Sequence, residues 1–174
     1  MYGMPMYRLN VVAEGTVSVV SALETVAPIG SSVTANYTHS RVSAGHVGTY
    51  YTINGEYQVT AWRPIQPRVV EDVTQGIVSN PVHGVLITGG KYVDIAGSNP
   101  VVSKPGHEWT TNTLEPQICV DAFWPSSLAT INTLPLIDGL EQNLILIPGQ
   151  FRCDSGEGKP VRGVQRNITS LTYE

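Results

Sequence analysis

The sequence predicts an all-β fold, an antiparallel β-sandwich or barrel with long loops and extended terminal arms. Three observations predict it. Val, Thr, Ile and Tyr are abundant, and β-branched and aromatic side chains suit a pleated, half-buried surface. Prolines recur from Pro64 to Pro160 at spacings that leave no room for long central helices. Apolar and polar residues alternate through short runs bounded by Gly, Asn and Pro. At 174 residues and 18.8 kDa the chain reads as one domain with room for a core, with residues 1–10 and 161–174 as arms.

Residues 7–20 (YRLNVVAEGTVSVV) and 32–42 (SVTANYTHSRV) read as strands, with Val17 and Val19 alternating against Thr16 and Ser18. Residues 18–27 also suit a short helix, because Ala22, Leu23 and Glu24 favour one. The stretch TYYTINGEYQVTAW, 49–62, reads as a hairpin turning at Asn54-Gly55 in a type I′ turn. That turn sets Ile53 opposite Glu56, Thr52 opposite Tyr57 and Tyr50 opposite Val59. Tyr50, Thr52, Tyr57, Val59 and Ala61 then face the core, while Thr49, Tyr51, Ile53, Glu56, Gln58 and Thr60 face outward.

A second hairpin is expected in GVLITGGKYVDIAG, 84–97, turning at Gly89-Gly90. Leu86, Val93 and Ile95 share one face, and Val85, Ile87 and Tyr92 the other. Both are apolar, so this hairpin should be covered on both sides by its own chain or another subunit. Residues 99–115 read as a long irregular loop. Residues 126–142 are the best place for a short helical piece, interrupted by Pro135 and Gly139. Leu144 to Ile147 suits a buried strand, and residues 161–172 (VRGVQRNITSLT) a strand or a terminal arm.

The charged share is 14%, against about a quarter in ordinary globular domains. Neutral polar residues or a partner must therefore cover the exterior, which favours a protein held in an assembly over a free enzyme. The net charge of −4 offers no general attraction to nucleic acid or anionic membrane. Locally, Lys159, Arg162 and Arg166 form a basic run that reads as a solvated tail. No run of 18 apolar residues is present, and MYGMPMYRLN carries no secretory pattern. Without export, Cys119 and Cys153 are expected as two buried thiols.

Reactive constellations are not apparent. Cys153-Asp-Ser-Gly-Glu-Gly158 resembles the GDSGG nucleophile loop of chymotrypsin-like proteases, but Cys153 and Glu157 stand where glycines belong, so it reads as a polar turn. His39, His46, His83 and His107 lie 7, 37 and 24 residues apart, without metal-ligand spacing. His107-Glu108 points to both sides of a strand, as does Glu71-Asp72. Asp94, Asp121, Asp138 and Asp154 are loop carboxylates without a calcium motif. Gly156-Glu-Gly158-Lys159 fits no phosphate cradle. The sequence therefore predicts no enzyme, no metal and no cofactor.

Aromatic residues offer contact surface instead. Trp62, Trp109, Trp124, Tyr50, Tyr51, Tyr57 and Tyr92 could stack on a sugar or line subunit contacts, and Trp109 falls in the predicted loop. The expected partner or ligand contacts are Trp109, Tyr92, Tyr51, Tyr7, Arg162 and Arg166.

The segment GIVSNPVHGVLITGG, 76–90, with low charge and proline-spaced strands, resembles the virion structural proteins of tailed bacteriophages that decorate or cement capsids. The resemblance implies a non-enzymatic homo-oligomer in the virion, assembled in the host cytoplasm. It would bind the major capsid protein or other virion proteins, as a decoration, tail or neck component, through strand addition by its arms. It implies no nucleic-acid or membrane partner. The alternative is a carbohydrate- or receptor-binding β-sandwich, with Trp109 and tyrosines lining a groove for a glycan.

Overall fold

The computed structural model describes residues 32–74, 82–103, 121–137, 139–154 and 162–174, and in them the chain is all-β. The expected strands of 7–20, the helical alternative at 18–27 and the arm at 1–10 lie outside these residues. The strands are β1 Val33–Asn36, β2 Ser40–Ser43, β3 Thr49–Thr52, β4 Tyr57–Gln58, β5 Gln66–Pro67, β6 Val69–Asp72, β7 Ile87–Ser98, β8 Ala129–Leu136, β9 Gly139–Leu146, β10 Gly149–Cys153 and β11 Gly163–Tyr173. A single 3-10 turn, Gly45–Val47, interrupts them.

β11 organises the main sheet. One of its edges pairs along its length with β7; the other takes β10 at its start and β1 at its end, all antiparallel. Of the two readings for 161–172, the strand holds. β6, β9 and β8 form a second, three-stranded sheet, and β2–β3 and β4–β5 are two-stranded. The core joins them: Tyr37, Ile53, Leu144, Leu146, Ile168, Leu171 and Tyr173 form one cluster, and Phe151 with Cys153 a smaller one beside Trp62 and Val102. Each buried Leu or Ile contributes roughly 1.5–3 kcal/mol. Leu144 and Leu146 lie in a buried strand, as their run predicts.

Three expectations change. Asn54 and Gly55 have positive φ, 51° and 86°, and Ile53 bridges Glu56 as a type I′ turn requires. Beyond that pair the strands part, β3 to β2 and β4 to β5. Ile53, expected outward, is buried and Tyr57 and Val59, expected inward, are exposed, while Thr52 is buried and Glu56 exposed as expected. The two-sided ribbon assumed from alternation does not persist past its turn.

The second expected hairpin is one continuous strand. β7 runs through Gly89-Gly90 and pairs with β11 from Ile87 opposite Tyr173 to Ser98 opposite Gly163. A Cβ on Gly90 would lie 2.7 Å from the Ser170 carbonyl oxygen, beside a register shift in β11. The glycine thus permits close backbone approach, not a turn. Instead of the cover expected on both faces, most of β7 is exposed.

Residues 126–142 hold no helix. β8 and β9 are in register from Ala129 opposite Leu146 to Leu136 opposite Gly139. Thr130, Ile131 and Thr133 favour the strand, and Pro135 is tolerated because β8 is an edge.

Buried amides inside the fold pair with one another. The Gln66 and Gln165 amides donate to each other's oxygens at 3.3 and 2.9 Å, and Gln165 also donates to Asn167 Oδ1 at 3.2 Å, all three side chains being buried. Gln142 Nε2 donates to the Val82 carbonyl at 2.9 Å and to Thr133 Oγ1 at 3.1 Å, while its Oε1 accepts from the Val82 N–H at 2.8 Å. Its backbone N–H donates to Thr74 Oγ1 at 3.0 Å. One residue of β9 so holds the chain on both sides of 75–81. Tyr173 donates its hydroxyl to Glu71 Oε2 at 2.9 Å, and burial, then Glu71, push its pKa up to about 12.

Cys153 is disulfide-bonded, which corrects the expected free thiols; Cys119 is the only other cysteine in the chain. The thiol reading had rested only on the missing export pattern.

Two outcomes are expected. Gln66→Leu should cost about 1–3 kcal/mol in urea unfolding by leaving the buried Gln165 Oε1 without its donor, and Gln66→Leu/Gln165→Leu should cost less than the two single changes summed. Reducing the disulfide, which links positions 34 apart in sequence, should remove roughly 3–4 kcal/mol, read as a lower denaturation midpoint in a thiol reductant.

Candidate functional site

The residues with distinctive chemistry gather on the sheet formed by β7, β11 and β10. Antiparallel register sets Asp94 of β7 opposite Arg166 of β11, and Arg166 opposite Gln150 of β10. Arg166 grips Asp94 with two hydrogen bonds, Nε to Oδ1 at 2.8 Å and Nη2 to Oδ2 at 2.9 Å. Tyr92, two residues before Asp94 and on the same strand face, lays its ring 3.9 Å from the Arg166 guanidinium carbon. Phe123 covers that guanidinium from the other side, also at 3.9 Å.

Phe123 is held there by its neighbours. Trp124 and Phe151 exchange backbone hydrogen bonds of 2.9 and 2.8 Å, and Gln150 Nε2 donates to the Pro125 carbonyl at 2.7 Å. Phe123 then carries a second guanidinium, that of Arg152, 5.3 Å from its ring centre. The result is a ladder, Tyr92–Arg166–Phe123–Arg152, with Arg63 over Trp124 at 5.9 Å. Each cation–π contact contributes about 0.5–2 kcal/mol according to its exposure.

The electrostatics follow the geometry. Hydrogen bonding to Arg166, with added attraction from Arg166 and Arg152, holds the Asp94 carboxyl below its ordinary range. The same bond raises the Arg166 guanidinium.

Beside the ladder, β7 pairs among the described residues only with β11. Leu86, Tyr92 and Val93 are 60%, 56% and 54% exposed along it. A long, apolar, proline-free edge is a surface on which another chain can add a strand.

Of the contacts expected from sequence, Tyr92 and Arg166 meet. Arg162 is exposed next to β11, where its carbonyl accepts from the Asp154 N–H at 2.8 Å. Tyr51 lies on β3 opposite Arg41, in a different sheet from Tyr92 and Arg166. Trp109 and Tyr7 lie outside the described residues, as do Cys119, Ser155 and the rest of the polar turn after Asp154. Phe123, Asp94 and Arg152 were missed. The adjacent aromatics of Phe123-Trp124-Pro125 were the available signal for the first, while the pairing of Asp94 with Arg166, 72 residues apart, had none.

Among the described residues no group of His, Cys, Asp and Glu could hold a metal ion. His39 serves the fold: its Nε2 donates to the Pro148 carbonyl at 2.9 Å, and burial lowers its pKa. No described helix is long and apolar enough to cross a membrane.

Comparison with known proteins gives no family model that matches and no match among curated proteins. Solved structures do match. A chain of the complex of the pro- and mature domains of RgpB from Porphyromonas gingivalis is 16% identical, covering 82% of this chain and 76% of its own, with a TM-score of 0.50. A chain from a structure addressing the zymogenic latency of gingipain K, from the same organism, is 12% identical, covering 82% of this chain and 85% of its own, with a TM-score of 0.53. At these identities the likeness is one of fold. It corrects the expectation of a capsid-binding decoration or cement protein of a bacteriophage: the fold is shared with chains from a complex of pro- and mature domains and from a structure of zymogenic latency, and the composition that suggested a virion is equally that of a charge-poor β domain.

Stability should follow Asp94. Its carboxyl is depressed in the folded chain, so its contribution is present above the unfolded pKa and is lost as pH falls through the lower folded value. A carboxyl-carbon NMR titration should find Asp94 below the ordinary aspartate range, and Arg166→Met should return it there.

Proposed function

We propose that this chain is a non-catalytic, pro-domain-like β module that docks on a folded protease domain and keeps it latent. The observation that carries the reading is the fold it shares, over most of its length, with chains from two protease zymogen structures. The surface for docking is β7, which among the described residues pairs only with β11 and beside which Leu86, Tyr92 and Val93 are exposed. The low charge fits a face that spends its life covered. The disulfide at Cys153 fits a protein working in an oxidising compartment outside the cytosol.

The chain should be co-expressed with the protease domain encoded in the same precursor or beside it. A one-to-one complex on size exclusion is expected, with peptide hydrolysis suppressed at least tenfold. Val93→Lys, which places a charge on the exposed edge, should weaken that complex at least tenfold without changing the thermal midpoint of the isolated chain. Separate elution and unaltered hydrolysis would sink the reading.

A further inference from the structure

We propose that Arg152 is a carboxylate-binding position, poised to take an Asp or Glu side chain from a protein partner. The inference rests on the reading of the chain as a protein-binding module and names the chemistry that part of the partner surface must present.

The ladder contains its own comparison. Arg166 is complete: two rings lie 3.9 Å from its guanidinium carbon, and two of its N–H groups are bound to one carboxylate. Arg152 is the next rung and is only half complete. Phe123 supports it at 5.3 Å, but its Nε is buried without a hydrogen-bond partner. The nearest carboxylate oxygen, Asp154 Oδ1, stands 3.8 Å from Nε, beyond hydrogen-bond distance. The side chain as a whole is 40% exposed, so an incoming group can reach it.

The Arg152 Nε is closed to solvent, so an incoming carboxylate would meet the exposed end of the planar guanidinium in a two-point geometry through its Nη groups, where Asp94 takes Nε and Nη2 of Arg166. Support from Phe123 limits the motion lost on binding, which raises affinity without further contacts. Charge acts in the same direction. Among the described residues Arg152 and Arg166 stand together on this sheet, with the Asp94 carboxylate committed to Arg166. An acidic segment is drawn to this end of the sheet and away from the rest of the surface.

The test follows the arginine Nε–H resonances of the chain by NMR at low ionic strength, with acetyl-tetraglutamate amide as probe and acetyl-tetraglutamine amide as control. The Arg152 signal should shift saturably with the glutamate peptide only, Arg166 should move little, and Arg152→Gln should abolish binding. Arg152→Lys keeps the charge but loses the fork, and should bind at least fivefold more weakly. An unmoved Arg152 signal, or an equal shift at Arg41 in another sheet, overturns the proposal. The peptide result stands apart from the latency reading, because it needs no protease. In the protease complex, Arg152→Gln should weaken association at least tenfold; unchanged association beside a positive peptide titration overturns the assignment to a protein partner.

Discussion

The structure depends on β11 being paired along both edges. Eleven residues of one strand meet β7 on one side and β10, then β1, on the other. Most residues of such a strand have a backbone partner on each side, so its hydrogen bonds and its side chains must be satisfied together. Ile168, Leu171 and Tyr173 enter the larger core, while Gln165 and Asn167 enter through amides that bind Gln66 and each other. Close strand approach is built in as well. A Cβ on Gly149 would lie 2.7 Å from Gln66 Oε1, so the glycine lets β10 pass tightly over the buried amide.

What could be read from the sequence follows from which forces are local. The type I′ turn at Asn54-Gly55 was legible because its demand for positive φ is met within two residues. Leu144 and Leu146 were legible because a short apolar run has few places to go. The destinations of β3 and β4 were not, since each leaves its hairpin partner for a strand that local pattern does not specify. Gly89-Gly90 misled for a related reason. The same absence of a side chain serves a turn or a close strand crossing, and only the Ser170 carbonyl, 80 residues on from Gly90, distinguishes them.

The candidate site was half legible on the same grounds. Tyr92 and Arg166 stand out as an aromatic and a cation in otherwise bland stretches, but their meeting is a product of register. Asp94 neutralises Arg166 and so converts the most basic-looking part of the C-terminal segment into a structural rivet joining two strands and the Phe123 segment. Under the proposed reading, recognition falls to the adjoining rung and to β7.

The grip of Gln142 on Val82 and Thr74 has an evolutionary corollary. Because a single residue fastens the chain at both Thr74 and Val82, the β6–β9–β8 sheet keeps its alignment under changes between them, as a fixed mount does.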